Sequence, residues 1–363
     1  MLAGRTQTTA AASGRDGFVD AVRAAAILRV VVVHALGPLG WLWWPAPLWV
    51  MPGMPLVFFC SGALMWQSLD RRPDAAWQVV RGRERRLLVP VAVFVLAMVV
   101  LSAVLAAVTG AARYQLHLSG WYRWIWLDVP APSQAVRDHD GQLWFAGTFA
   151  VLLAVAPVLA RLHRRHLAMP LALAGALAVE LGTTHPPQAL TKLAMYAPFF
   201  CAGFYYGDGT LVRLRERRGA PPLLAAAGLL AATGAAVYVV DPRNPNIAIA
   251  AVLPVAAAWG LLLLALRPQV TALSARWDRG VRWVSDRTLS IYLAGWPAAR
   301  AAERSADALF GADETGAALW TTTYLGLTAL LVVVGAALLH PVEKLARRPM
   351  SDWFEWAGRG SNP

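Results

Sequence analysis

The sequence predicts an all-α fold, a polytopic bundle of about ten transmembrane helices with both termini in the cytoplasm. Three observations predict this class. Hydrophobic residues make up 58% of the 363 residues and charged residues 15%, against about 25% charged in an ordinary soluble protein. Apolar runs close to the roughly 20 residues that a membrane-spanning helix needs recur along the chain. The basic residues are concentrated in alternate connecting segments, as repeated membrane crossing requires.

The composition also excludes several other classes of protein. A disordered chain has low hydrophobicity, and a disulfide scaffold needs more than the two cysteines present. A soluble domain of this size would have no means of covering so much apolar surface. Neither a CxxC nor an HExxH motif occurs, so we expect no metal site.

Ten apolar runs are the candidate spans. The fifth, sixth and ninth are shorter than the others, and the ninth is only weakly apolar. The first run contains Arg29 and His34 and lacks a small-x-small cleavage site, so we interpret it as a retained helix and not as a signal peptide. The runs cover residues 17–37, 48–69, 87–110, 143–160, 167–182, 193–207, 223–240, 247–266, 289–302 and 317–340.

The distribution of basic residues predicts the orientation. With the N-terminus in the cytoplasm, 25 of the 33 lysines and arginines fall in inner segments and 7 in outer segments, with Arg29 inside the first span. This bias is typical of the positive-inside rule. The net charge of +12 therefore reflects topology, and we expect a lipid bilayer and no nucleic acid as partner. The predicted location is the plasma (inner) membrane, and the oligomeric state stays open.

The chain divides into one large domain and two short ends. Residues 1–16 are rich in Ala and Thr and are expected to be disordered, residues 17–349 form the transmembrane domain, and residues 350–363 form a short cytoplasmic tail. The long outer segment 111–142 contains three tryptophans. We interpret them as an interfacial aromatic belt, with substrate stacking as the alternative.

Ionisable residues inside apolar spans are costly and are therefore functional candidates. Arg29 and His34 lie in the first span and Glu180 in the fifth. A neutral His34 imidazole would serve as a general base, or would form a hydrogen bond between helices. Glu180 would either orient His34 or neutralise Arg29.

The spacing between Arg23 and His34 places them on one face of a helix. Eleven residues are about three helical turns, so the two side chains are roughly 16 Å apart along the axis. This arrangement suits one elongated ligand that contacts both. Asp20 stands three residues before Arg23 and is spaced to pair with it.

An arginine-rich inner segment follows the second span. It holds six arginines in residues 71–86, among them Arg83, Arg85 and Arg86. Arginine forms bidentate bonds with phosphate oxygens, so the segment is suited either to anionic lipid headgroups or to a phosphorylated cofactor.

Taken together, these motifs resemble the acyltransferase-3 family of integral-membrane O-acyltransferases, from Phe18 to about Pro349. In that family the first helix carries an Asp, then an Arg, ten further residues and a His. Gln142 and Gly295 stand where family members often have histidines, and Arg29 interrupts a run that is usually apolar. The matching stretches are Asp20–Arg23–His34, Gly53-x-Pro55-Leu-x-Phe58-Phe59-x-Ser61-Gly62, Arg85-Arg86-Leu-Leu-Val-Pro90, Leu143-Trp144-Phe145 and Ser290-x-Tyr292-Leu293.

The resemblance implies transfer of an acyl group, often acetyl, from cytoplasmic acyl-CoA to a hydroxyl. The acceptor would be a cell-envelope sugar, a lipid-linked glycan or a secondary metabolite. His34 would be the general base, and Arg23 would steady the donor or the charge that develops at the thioester carbonyl. The remaining expected site residues are Arg83, Arg85 and Arg86 for the phosphates of acyl-CoA, and Trp144, Tyr292 and Glu180 for the acceptor.

Two other classes stay open from the residues alone. A proton-coupled transporter or exporter of a glycan or small molecule would use Arg29, His34 and Glu180 as a relay, although no inverted repeat is visible in the sequence. A membrane sensor would bind a ligand at the arginine-rich segment without turnover. Independently of the class, the alternative interpretation of Trp144 and Tyr292 is interfacial anchoring, and Ser61 and Gly62 are interpreted as serving close helix packing.

Overall fold

The computed structural model describes residues 16–36, 52–110, 143–182, 187–240, 248–310 and 317–348. In these ranges the chain is helical and contains no β-strand, so the all-α prediction is confirmed. The helices are α1 Gly17–Leu36, α2 Gly53–Arg71, α3 Ala76–Thr109 (preceded by a 3-10 turn, Pro73–Ala75), α4 Trp144–Arg164, α5 Ala168–Gly182, α6 Gln188–Gly207, α7 Thr210–Arg218, α8 Pro221–Val240, α9 Ile249–Ala265, α10 Arg267–Arg276, α11 Asp278–Asp286, α12 Thr288–Phe310 and α13 Ala317–Arg347.

Each of the ten predicted apolar runs overlaps one helix of the described chain, namely α1 to α6, α8, α9, α12 and α13. The other three helices, α7, α10 and α11, are short and polar and lie in segments predicted to be inner connections. The predictions for the N-terminal segment, the tryptophan-rich segment 111–142 and the C-terminal tail lie outside the described residues, apart from Asp16.

By length and composition, four helices of the described chain are suited to cross a membrane: α3 with its 3-10 turn, α4, α8 and α13. A fifth is obtained if α9 and α10, which meet at a bend of 71°, form one span. The chain is therefore a multi-pass membrane protein.

Two glycines allow α2 and α6 to pack backbone against backbone. A methyl group at Gly62 would overlap the carbonyl oxygen of Phe200, and one at Gly203 would overlap the carbonyl oxygen of Phe59. Small residues permit this close approach between membrane helices. The packing role predicted for Gly62 is confirmed.

The predicted inner segments meet at one end of the bundle, which we call the arginine-rich end. Long-range polar contacts connect these segments to one another. This is expected if an even number of helices crosses the bundle between one inner segment and the next. These contacts join Tyr206 to Asp16 (2.7 Å), His163 to Asp208 (2.7 Å), Arg164 to Asp70 (3.7 Å), Arg85 to the carbonyl of Ala346 (3.0 Å) and Arg347 to the carbonyl of Asp286 (3.0 Å).

The face of α1 that carries Arg23 and His34 is turned towards the neighbouring helices. Leu28 and Val32, on its outward face, are 46% and 50% exposed, whereas Ile27 is buried among the neighbouring helices. Arg23 and His34 are half-buried. Because α1 packs against α2, α10, α11 and α12, its polar side chains face these helices and not lipid.

Candidate active site

A cavity of about 290 Å³ opens at the arginine-rich end between α1, α2, α3, α4, α11, α12 and α13. Along α2 its lining runs from Met65 to Met54, and along α4 from Leu153 to Phe145. At about 1.5 Å per residue, the first of these distances is roughly 16 Å. The cavity is therefore elongated along the helix axes.

The lining of this cavity changes in polarity along its length. Four arginines line it, and two of them, Arg86 and Arg347, are exposed and so lie at its opening. Further from that end the lining is mainly apolar, with Ile27, Val57 and Phe149. A cavity of this kind is suited to a ligand with an anionic end and a long, less polar arm.

Arg23 is held in place by two partners. Its Nη2 donates a hydrogen bond to Asp20 Oδ1 at 3.1 Å, and its Nε donates to the hydroxyl of Ser285 at 3.1 Å. Ser285 in turn donates to Asp20 Oδ1 at 2.7 Å. The pairing with Asp20 matches its i,i+3 spacing, whereas Ser285 lies 262 residues away and was not found from the sequence. The guanidinium of Arg23 is thus fixed at the cavity wall.

The three arginines expected to bind phosphates occupy different surroundings. Arg83 lines the cavity and donates from Nη2 to the hydroxyl of Ser68 at 2.8 Å and to the carbonyl of Leu64 at 3.2 Å. Arg86 lines the cavity near its opening. Arg85 is not among the lining residues, and its Nε donates to the carbonyl of Ala346 on α13.

Glu343 is a buried acid in the cavity wall that sequence reasoning missed. It is 6% exposed and accepts hydrogen bonds from the backbone amide of Ser290, at 2.6 Å, and from the hydroxyl of Ser290. Arg347 lies 3.7 Å from its other oxygen. The sequence feature that could have identified Glu343 is an acidic residue one helical turn after the tenth apolar run. The basic residues of that segment indicated only the topology.

His34 lies beyond the cavity, towards the opposite end of the bundle. The start of α2 contacts α1 at Ala26 and Val30, so His34 is one to two turns further along than the last α2 residues that line the cavity. Its imidazole meets the indole of Trp296 edge-on, with ring centroids 4.7 Å apart and planes at 86°. The predicted base therefore faces α12 in the protein interior.

Gly295 brings α1 and α12 close together beside His34. A β-carbon at this position would lie 3.1 Å from Val31 Cγ2, which is tighter than ordinary van der Waals contact. A histidine, which family members often have here, would require Val31 to move. Glycine at position 295, in place of that histidine, therefore permits the close packing of α1 and α12 next to His34.

Of the three expected acceptor residues, only Tyr292 lines the cavity. Tyr292 is 4% exposed, lines the cavity and contacts the ring of Phe145 at 5.0 Å. Trp144 stacks on Tyr196 at 5.3 Å, with the ammonium of Lys192 4.6 Å from its ring centroid. Glu180 is on α5, whose main contacts are with α4, α6 and α9.

Comparison with known proteins gives a match to a family model. The family model described as an acyltransferase domain, that of the acyltransferase-3 family, matches residues 16–340, nearly the whole chain. No curated protein and no solved structure matches the chain. The matched range contains the cavity lining except Glu343 and Arg347, together with His34.

Proposed function

The chain belongs to the acyltransferase-3 family, and from this premise we propose that it transfers an acyl group from acyl-CoA to a hydroxyl. The acyl group is acetyl or another short group. The acceptor is a sugar, a glycan, a lipid-linked molecule or a secondary metabolite. The protein is then an acyl-CoA-dependent O-acyltransferase of the plasma (inner) membrane that modifies carbohydrate or related compounds, including those of the cell envelope.

One observation carries this proposal: the elongated cavity that is lined by arginines at one end and by apolar side chains further in. Acyl-CoA has the same division, with an anionic nucleotide and a long neutral arm that ends in the thioester. In this proposal Arg83 and Arg86 bind the phosphates by charge-assisted hydrogen bonds. In the same proposal Arg23, fixed by Asp20 and Ser285, steadies the arm or the thioester oxygen.

In the proposed reaction His34 is the general base. It takes the proton of the acceptor hydroxyl while the hydroxyl oxygen attacks the thioester carbonyl carbon. The tetrahedral intermediate then collapses, the carbon–sulfur bond breaks, and the CoA thiolate leaves and receives the proton from the imidazolium. The products are an ester and CoA, so atoms and protons balance without a metal.

The topology that accompanies this function has ten spans with both termini in the cytoplasm. It is supported by the contacts that gather the predicted inner segments at the arginine-rich end. Acyl-CoA is made in the cytoplasm, so the opening of the cavity faces the donor. In this proposal His34, nearer the other end, meets an acceptor that arrives from the far side.

The transporter alternative requires Glu180 to work with Arg29 and His34. The main contacts of α5, which carries Glu180, are with α4, α6 and α9, whereas those of α1 are with α2, α10, α11 and α12. This arrangement favours the transferase over a relay through these three side chains.

The test is acyl transfer by purified protein in lipid nanodiscs. With radiolabelled acetyl-CoA and an extract of envelope glycans and lipids, we expect His34→Ala and His34→Gln to lower turnover by about 100-fold or more, since general-base catalysis contributes 10²–10⁴. Val32→Ala, on the exposed face of the same helix, is the matched control. Full turnover in a folded His34→Gln protein, or glycan flux that needs no acyl donor, would refute the proposal.

A further inference from the structure

A series of side-chain contacts leads outward from His34 along one face of α12. Trp296, Arg300 and Glu303 are spaced at i,i+4 and i,i+3, which places neighbouring side chains on the same helix face. Glu303 Oε2 accepts a hydrogen bond from Arg300 Nη1 at 2.8 Å. The guanidinium carbon of Arg300 is 5.0 Å from the centroid of the Trp296 ring, and that ring meets the His34 imidazole at 4.7 Å.

The Arg300–Glu303 pair contributes little to stability. The two side chains are 38% and 25% exposed, and ion pairs with this exposure typically contribute about 0–1 kcal/mol. A cation over an indole adds roughly 0.5–1 kcal/mol at such a site. Because these energies are small, substitution of either residue should leave the protein folded.

The backbone leaves little room for a misplaced indole. Gly295 lies directly against Val31, so α1 and α12 approach closely at the depth of His34. Trp296 is half-buried there, and its ring fills the space beside the imidazole. The Trp296 ring therefore forms one wall of the space that the imidazole occupies.

We propose that Arg300, held by Glu303, is a positioning residue that fixes the indole of Trp296 and, through it, the imidazole of His34. This inference rests on the proposed role of His34 as the base. A base displaced by about 1 Å from the acceptor hydroxyl can lose roughly 100-fold in rate. The two charged residues thus act on the reaction without touching either substrate.

Three substitutions separate this role from direct binding. Arg300→Met keeps the apolar stem and removes the cation, Arg300→Lys keeps the cation, and Glu303→Gln removes the charge that holds Arg300. We expect Arg300→Met to lower kcat by about 10-fold with the KM for acetyl-CoA changed less than about 2-fold, as expected when only the base is misplaced. Arg300→Lys should restore most of the rate, and Glu303→Gln should give an intermediate value.

Arg304→Met is the matched control, because Arg304 is exposed and lies one turn further along the same helix. It should retain the kinetics of the unsubstituted protein. A rise in the KM for acetyl-CoA at constant kcat in Arg300→Met would instead make Arg300 a binding residue and overturn the proposal. Unchanged kinetics in a folded Arg300→Met protein would overturn it as well.

A second measurement does not depend on activity. In protein with ¹³C-labelled histidine, the Trp296 ring shifts the His34 resonance, which is assigned from its loss in His34→Gln. We expect this resonance to move in Arg300→Met and to stay in place in Arg304→Met. An unmoved resonance refutes positioning, whatever the rate. A protein without any acyl transfer whose His34 resonance still moves would refute the proposed function and retain the positioning role.

Discussion

Asp20 and Ser285 are 265 residues apart in the chain, yet the hydroxyl of Ser285 donates a hydrogen bond to the carboxylate of Asp20 at 2.7 Å. Both also contact the guanidinium of Arg23. The contact joins the first turns of α1 to the end of α11 at the cavity wall. Arg23 is consequently fixed from two sides before any substrate arrives.

Removal of either contact to the Arg23 guanidinium should lower the efficiency with which the protein uses acetyl-CoA. We expect Ser285→Ala and Asp20→Asn each to lower kcat/KM for acetyl-CoA by about 10-fold, because hydrogen bonds to charged groups contribute about 1.5–3 kcal/mol. Steady-state kinetics measure the effect. Ser274→Ala, a buried serine on α10 beside Gly17, is the control, and an equal loss in that variant would contradict a specific role for Ser285.

The three arginines at the end of the inner segment should differ in their effect on donor binding. Arg83→Met and Arg86→Met should each weaken CoA binding by about 10-fold, since each removes charge-assisted bonds to phosphate. Arg85→Met should change it by less than about 3-fold, because the Nε of Arg85 is engaged with the carbonyl of Ala346. Equilibrium binding of labelled CoA in nanodiscs measures all three.

The same titrations in high salt give an independent check, since contacts between arginine and phosphate are screened by added ions. The apparent Tm of each variant shows whether Arg83→Met, which loses contacts to Ser68 and Leu64, remains folded. Equal losses in all three variants would mean general charge attraction and not a defined site.

The contact between α2 and α6 should be intolerant of a single methyl group. Gly62→Ala places a methyl against the Phe200 carbonyl, and overpacking of this kind typically costs about 1–3 kcal/mol. We expect a clearly lower apparent Tm. Gly82→Ala is the control, because no atom lies within 4 Å of a β-carbon there. Since alanine favours helix over glycine by up to about 1 kcal/mol, its Tm should be unchanged or higher.

The orientation of the bundle is testable by cysteine labelling. In a background with Cys60→Ala and Cys201→Ala, both natural cysteines being buried, Arg72→Cys and Arg217→Cys should react with a membrane-impermeant maleimide only after the cells are permeabilised. Asp307→Cys, at the opposite end of α12 from Ser290, should react in intact cells. Reaction of Arg72→Cys and Arg217→Cys from different sides would refute the even number of crossings.

The helices of the ten apolar runs could be predicted because the signal for each is local, whereas the short polar helices α7, α10 and α11 were not predicted. Hydrophobic runs of the right length mark α4, α8 and α13, and the bounds differ mainly where polar turns extend a helix. In α3, for example, the helix begins at Ala76, eleven residues before the predicted span. The Asp20–Arg23 pair was also predictable, since an i,i+3 contact depends only on helix geometry.

The partners of these side chains could not be predicted in the same way. Ser285, Trp296 and Glu343 come from helices that approach α1 or each other only after the bundle has formed, and a single sequence does not state which helix faces meet. Trp144 and Tyr292 show the same limit. Both carry family motifs, yet only Tyr292 lines the cavity, because a rotation of a helix by one residue changes the side chain that faces inward.

The sequence by itself determined the all-helical membrane class, the number of apolar runs and the shared face of Arg23 and His34, because each depends on composition or on the 3.6-residue helical period. The tertiary structure decided that this face is turned inward, that Arg23 is held by Asp20 and Ser285, and that His34 meets Trp296. These features depend on the close approach of separate helices, as Gly62 against Phe200 and Gly295 against Val31 permit. A contact between two helices depends on the shapes of both helices, whereas one segment of sequence specifies the shape of only one of them.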